Sequence, residues 1–193
     1  MRLVLASTSP TRAEVLRNAG LRFEVAAPQV DERAATAGLT GAAEIARVLA
    51  ARKSQAVART QPDALVIGAD QTLECDGTLF HKPETRAAAA RQLQTLAGRE
   101  HRLHSAIAVS RDGALAWQHL AGVRLAMRPL SATGIDRYLD RAGDAVLHSV
   151  GAYQVEGLGI QLFERIDGDW FAILGLPLLP LLTYLRGVGG LEL

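Results

Sequence analysis

Five charged side chains are spaced along the first half of this chain in a way that suits polyphosphate chemistry: Arg12, Glu32, Lys53, Asp70 and Lys82. Cations hold phosphate oxygens, and carboxylates hold a hard divalent cation or take a proton from water. The first of them sits in the most telling stretch, Leu-Val-Leu-Ala-Ser-Thr-Ser-Pro-Thr-Arg at 3–12. Leu3–Ala6 reads as a short buried strand. Ser9 is an N-cap and Pro10 suits the first helical position, with Gly20 as the stop. A tight strand-to-helix turn aims free backbone N–H groups at one point, which makes an anion site. A cation in the first helical turn opposes the helix dipole, at a cost of roughly 0.3–1 kcal/mol, and an anion bound beside Arg12 reverses that sign. A well-capped surface helix with a solvated arginine is the plainer alternative.

The other candidates carry the same double reading. Asp70 follows the apolar run Ala64–Ala69, so it is placed at the carboxyl end of a central strand, where ligands gather in open α/β sheets. There it can hold a metal or act as a base; it can also be a turn former. Glu32, in the acidic pair after Phe23–Val30, can share a hard cation with Asp70. Lys53 lies on a helix, and Lys82 stands before Pro83 ahead of another; either can hold a phosphate as a point charge. The Gly-bounded segment Gly151–Gly157 brings polar and aromatic groups together and can edge a base pocket or be an ordinary turn. The five histidines (81, 101, 104, 119 and 148) fit no zinc spacing, and no Gly-x-Ser-x-Gly elbow, Walker loop or dinucleotide glycine fingerprint occurs.

These residues need elements to position them. Helices are predicted over Pro10–Ala19, Ala42–Arg59, Glu84–Leu96, Ser131–Ala142 and from Pro177 to about Arg186. Leu73–Cys75 and Thr78–Phe80 flank Asp76-Gly77 as a hairpin, as do His104–Val109 and Ala114–Leu120 around Arg111-Asp112-Gly113, with Val123–Met127 following. Ile160–Ile166 and Trp170–Leu174 are predicted as two strands around Asp167-Gly168-Asp169, and the tail 187–193 as frayed. The order gives an α/β protein with a long mixed sheet flanked by helices. Region 98–103 is the one weak candidate for a lobe boundary.

With 193 residues, 49% of them hydrophobic, the chain can build one domain or two small lobes. A net charge of +1 leaves no field for nucleic acid. A single cysteine, Cys75, permits no internal disulfide, which suits the cytoplasm, and the N-terminus lacks the pattern of a signal peptide. The uncharged stretch 171–185 carries Pro177 and Pro180 and is too short to span a membrane.

Taken together, the ordered motifs resemble the Maf family of nucleoside triphosphate pyrophosphatases. They are Leu-Ala-Ser-Thr-Ser-Pro-Thr-Arg at 5–12, Val-Asp-Glu at 30–32, Ala-Arg-Lys at 51–53, Ile-Gly-Ala-Asp-Gln at 67–71, Lys-Pro at 82–83, Gly-Ala-Tyr-Gln-Val-Glu-Gly at 151–157 and Gly-Leu-Pro-Leu at 175–178. The resemblance implies a single domain over 1–193 with two lobes around a central cleft, an extended twisted mixed sheet as in inosine triphosphate pyrophosphatases, and hydrolysis between the α and β phosphates. It implies a divalent metal, Mg²⁺ or Mn²⁺, and allows a homodimer. By position Ser7, Arg12, Lys53 and Lys82 match phosphate-site residues, with Arg12 and Lys82 also catalytic. Glu32 and Asp70 match the acidic pair at the metal, with Asp70 the proton acceptor.

The branch resembling dTTP/UTP pyrophosphatases has a second Arg where Thr11 stands, Thr where Gln71 stands and Gln where Glu156 stands. Gln71, Glu156 and the flanks at 156–160 and 162–165 look instead like the branch that acts on 7-methyl-GTP, although Thr11 and Tyr153 are unusual there. Thr11, Gln71 and Glu156 are therefore the specificity candidates. A carboxylate only accepts hydrogen bonds, which suits the N1–H and exocyclic amine of guanine, and N7-methylation adds a positive charge that favours it further. The competing expectations are a dTTP/UTP enzyme, a nucleotide-binding regulator of septum formation with little catalysis, and a nucleotidyltransferase.

Overall fold

A computed structural model describes residues 1–191. β1 (Arg2–Ala6) leads through Ser7–Ser9 into α1 (Pro10–Asn18), whose N-cap Ser9 accepts from the Arg12 amide. β2 (Glu24–Val25), α2 (Glu32–Ala35) and α3 (Ala42–Ala58) follow, then β3 (Ala64–Cys75), β4 (Thr78–Phe80) and α4 (Arg86–Leu96). The second half holds β5 (Glu100–Arg111), β6 (Ala114–Met127), α5 (Ala132–Ala142), three 3₁₀ turns, β7 (Phe163–Asp167), α6 (Trp170–Ile173) and α7 (Leu178–Gly187). The seven strands form one mixed sheet ordered β2-β1-β3-β5-β6-β7, with β4 also on β3. Among the described residues no helix is long and apolar enough to cross a membrane.

Three expectations are corrected. The central strand does not end at Ala69: β3 continues through Asp70 to Cys75. Its parallel pairing with β1 stops at Ala6↔Gly68, so Asp70 sits just past the carboxyl end of β1, in mid-strand of β3. The strand pair predicted around Asp167-Gly168-Asp169 does not form either. Residues 158–162 are a 3₁₀ turn, and Trp170–Ile173 is a helix because the Asp169 carboxylate accepts from the Phe171 and Ala172 amides. A side-chain cap satisfies donors that a strand would have sent to a neighbour. Leu120 and Val123, read as belonging to separate strands, lie in the single long strand β6. Of the tail, Val188–Gly190 closes onto α7 through amide bonds to Tyr184, Arg186 and Leu185, while 192–193 lie outside the described residues.

The chain divides into two compact units whose boundaries fall inside β3, β5 and β6 and after Gly168. The first comprises Met1–Gln71, His104–Ala121 and the segment from Asp169 onward. Its strands alternate with period two. Leu3, Leu5, Leu65, Ile67, Ala69, Ile107 and Val109 pack on α1 and α7, and Val4, Ala6, Ala64 and Val66 pack on the end of α3. Gly68 shares the α3 face: a Cβ there would stand 2.4 Å from the Ala50 carbonyl oxygen and 2.6 Å from the Ser54 amide nitrogen. Helix and strand backbones touch at that point.

The second unit, Thr72–Leu103 with Gly122–Gly168, holds the β3–β4 hairpin, with Leu73 opposite Phe80. It also holds a buried aromatic cluster. His101 Nε2 lies 2.8 Å from the Tyr153 hydroxyl, and Phe163 meets Tyr153 edge to face. Tyr153 is therefore a core residue of this unit. Burial pulls the His101 imidazole from 6.5 to about 4 and pushes the Tyr138 phenol up to about 12. The unfolded chain takes up a proton at His101 before the folded one does. Its contribution to stability is full above pH 6.5 and is lost as pH falls toward 4, on the order of 3 kcal/mol in all. Urea titrations at pH 7 and pH 4.5 are expected to show a smaller loss for the double variant His101→Phe, Tyr153→Phe than for the parent; equal losses would remove His101 from the account.

Candidate active site

The site is built at the carboxyl end of β1, within the first unit. Ser7 is buried, and its hydroxyl accepts from the Ser9 amide at 3.2 Å, which folds the strand-to-helix turn tightly. Arg12 rises from the first turn of α1. Its Nε donates to the Gly175 carbonyl at 2.9 Å, and its Nη1 donates to the Ala69 carbonyl at 3.0 Å and the Ser7 hydroxyl at 3.4 Å. Burial lowers the guanidinium from its ordinary value, and Asp70 and Glu32 oppose that. An arginine stays protonated in any case. Gly175 (φ +82°) must be glycine: a Cβ would stand 3.2 Å from both Nε and Nη2 of Arg12.

Lys53 and Asp70 meet because α3 lies against the same face of β3 that carries Val66 and Gly68. Asp70 (7% exposed) and Lys53 (9%) are buried polar residues in an apolar layer, where an unpaired charge is costly. They pair at 2.6 Å between Nζ and Oδ1, and the same Nζ lies 2.7 Å from Glu32 Oε1. Asp31, the other half of the acidic pair, caps α2 by accepting from the Ala34 amide and so turns Glu32 toward Lys53. Burial is the largest influence on Asp70 and raises its carboxyl above the usual range; Lys53 and then Arg12 pull it back.

Two carboxylate oxygens thus converge within 2.7 Å of one point, held by an ammonium. Among the described residues no cluster of three or more His, Cys, Asp or Glu forms a protein-only cage. Mg²⁺ and Mn²⁺ take oxygen donors, and Mg²⁺ commonly binds through one or two carboxylates with substrate phosphates completing its shell. The donor set fits that kind of cation.

The first unit therefore brings together Ser7, Arg12, Glu32, Lys53 and Asp70, with Thr11 half-buried on α1. Lys82 and Glu156 belong to the second unit and are exposed there, Lys82 between β4 and α4 and Glu156 in the turn after Val155. Two positions escaped the sequence reading. Ser105, a fully buried polar residue inside an apolar strand, was one. Gly68 was the other, and a glycine in a strand interior does signal close backbone approach.

The chain matches the family described as Maf-like protein over residues 2–188. This protein belongs to the Maf family. Among curated Maf relatives, the "Nucleoside triphosphate pyrophosphatase" of Nitrobacter hamburgensis is 53% identical over 193 residues, covering 99% of this chain and 96% of the relative. The "7-methyl-GTP pyrophosphatase" of Rhizobium johnstonii is 51% identical over 195 residues (99% and 98%). That of Brucella abortus is 52% identical over 190 residues, covering 96% of each chain. Segments 5–12, 30–32, 51–53 and 67–71, all within the matched residues, supply the side chains described above.

Proposed function

We propose that this Maf protein hydrolyses a nucleoside triphosphate between the α and β phosphates, releasing a monophosphate and pyrophosphate, with a modified purine such as 7-methyl-GTP as substrate. The observation that carries this reading is the buried Asp70–Lys53–Glu32 group beside Arg12 at the carboxyl end of β1. Relatives sharing half the sequence and bearing those two names support it.

Attack of water at the α phosphorus builds charge on the equatorial oxygens and on departing pyrophosphate. Arg12 offers Nη2, which no described residue engages, to those oxygens, and Ser7 lines the turn beneath it. Lys53 neutralises charge at the same point and pulls the Asp70 carboxyl back toward its usual range. Asp70 takes the proton of the attacking water, and its burial makes it a better acceptor than an exposed aspartate. Glu32 and Asp70 would hold the divalent cation, which when bound neutralises the triphosphate and lowers the pKa of a bound water. Lys82 enters as a further phosphate ligand on the strength of the family motif alone.

Glu156 is assigned to the base because an acceptor-only side chain complements the donors of guanine and the positive ring of its 7-methyl form. Pyrophosphate release should be measured over 7-methyl-GTP, GTP, dTTP, UTP and CTP with Mg²⁺ and Mn²⁺. A preference for 7-methyl-GTP supports the reading. A preference for dTTP or UTP keeps the hydrolase and overturns the base assignment, and nucleotide binding without turnover points to a regulator. Glu156→Gln is expected to lower the ratio of 7-methyl-GTP to UTP turnover about tenfold, the size of one charged hydrogen bond. An unchanged ratio would sink the assignment.

A further inference from the structure

Gln71, one of the specificity candidates, is held on β3 by bonds from its Nε2 to the Ser105 hydroxyl at 2.8 Å and to the Ala172 and Ile173 carbonyls, which leaves its oxygen to face a ligand. Glu156 has no strand to hold it. It stands on a turn of the second unit, closed by the Gly157 amide donating to the Gln154 carbonyl at 3.3 Å, with Val155 and Glu156 at the two central positions. Val155 is buried and Glu156 exposed, so the acid is the side chain the turn presents. The backbone around the turn is tightly set. Gly159 closes on Gln154 so nearly that a Cβ would stand 2.5 Å from its carbonyl oxygen and 2.7 Å from its amide nitrogen. On the other side, Gly151 (φ +79°) and Ala152 (φ +59°) are two consecutive left-handed residues. Glycine takes that conformation freely. Ala152 does not, and a non-glycine residue persists there only where its surroundings over-determine it.

Two tyrosines supply those surroundings. The Tyr138 hydroxyl, reaching from α5, donates to the Ala152 carbonyl at 3.3 Å. The Tyr153 hydroxyl meets His101 Nε2 on β5 at 2.8 Å. Ala152 is fully buried, so a lost donor leaves its carbonyl unpaired. The Tyr138 ring packs with Ile135 and Leu139 on the buried face of α5, and the hydroxyl is the part of the side chain that reaches the turn. Burial raises the Tyr138 phenol, the Gln154 backbone lowers it, and the Glu156 carboxylate raises it further. The hydroxyl therefore lies within electrostatic reach of the acid whose turn it holds. Specificity built on one exposed carboxylate requires that carboxylate to be aimed by groups that do not move.

We propose that Tyr138 is a positioning residue for base selection: its hydroxyl holds Ala152 in the left-handed conformation and so fixes where the Glu156 carboxylate points. This deepens the pyrophosphatase reading and rests on its assignment of Glu156 to the base. The test is Tyr138→Phe, which keeps the ring and removes the donor. Three quantities decide it: the ratio of kcat/KM for 7-methyl-GTP to that for UTP, the affinity for inorganic tripolyphosphate by calorimetry, and the same ratio in a Glu156→Gln background. The expected result is a fall of about fivefold in the ratio, tripolyphosphate affinity within about twofold of the parent, and less than about a twofold further change in the ratio once Glu156 is replaced. Partial unfolding lowers kcat/KM for every nucleotide by one factor and cancels from the ratio, so a merely structural tyrosine moves the absolute rates alone.

An unchanged ratio in Tyr138→Phe overturns the proposal, as does a fall that persists at full size in the Glu156→Gln background. Tyr153→Phe, which frees the same segment at its His101 anchor, should shift the ratio in the same direction even if Tyr138→Phe folds poorly, and no shift there overturns the proposal in that case. The underlying assignment is read separately. If Glu156→Gln lowers the ratio and Tyr138→Phe does not, Glu156 keeps the base and the role of Tyr138 falls. If Glu156→Gln leaves the ratio unchanged, the assignment falls and the proposal with it. In a protein silent toward every triphosphate, the ratio is taken from calorimetric affinities for 7-methyl-GMP and UMP, with the same outcomes deciding.

Discussion

Asp70→Asn is expected to reduce pyrophosphate release at least about 10³-fold while nucleotide still binds. The substitution preserves shape, so the buried pocket between β3 and α3 stays filled. It removes a carboxylate that is, among the described residues, the one buried acid whose environment raises its proton affinity, and with it the proposed acceptor for the water proton. Binding should survive because the lost group is an anion beside an anionic substrate, and because Arg12 keeps its partners at Ser7, Ala69 and Gly175. Lys53 retains Glu32 at 2.7 Å, so its ammonium is not left unpaired. Turnover within tenfold of the parent would remove Asp70 from the role of proton acceptor. Loss of binding and turnover together, with a lowered melting temperature, would make its contribution structural.

The legible parts of the fold were those with local signals. Ser9 caps the helix that the sequence assigns after it, Thr85 and Ser131 cap helices that the sequence begins a residue or two early at Glu84 and Ser131, and the Asp76-Gly77 hairpin closes with Leu73 opposite Phe80. The failures came where long-range partners override local preference. Asp70 and Gln71 looked like the end of a strand because polar residues are costly inside a sheet; Lys53 pays that cost for one, and Ser105 with the α6 carbonyls for the other. Trp-Phe-Ala-Ile-Leu after a Gly-Asp pair looked like a strand, yet the Asp169 carboxylate holds it as a helical turn. The residue types of the site were readable at 12, 32, 53 and 70. Their pairing was not, since the meeting of Lys53 with both carboxylates depends on how closely α3 lies on β3, and that is decided by a residue with no chemistry of its own.

That residue is Gly68, and Gly68→Ala is expected to lower stability by about 3 kcal/mol, the upper range for overpacking, or roughly 6–12 °C in melting temperature for a chain of this length. An added Cβ would stand 2.4 Å from the Ala50 carbonyl oxygen, 2.6 Å from the Ser54 amide nitrogen and 2.9 Å from the Ser54 Cβ. Two of these are backbone atoms inside a helix and cannot swing aside, so α3 must lift from β3. The contact is otherwise made of small residues: Ala46 and Ala50 on the helix against Ala106 and Ala108 on β5. Lifting α3 carries Lys53 away from Asp70, two residues along the same face, and a pair held at 2.6 Å has little reach to spare. Turnover should therefore fall with stability, and more steeply than partial unfolding at the assay temperature accounts for. Gly122→Ala is the control, because a Cβ there meets nothing within 4 Å. A Gly68→Ala protein that melts within about 2 °C of the parent and turns over normally would show that the helix–strand approach does not set the Lys53–Asp70 pair.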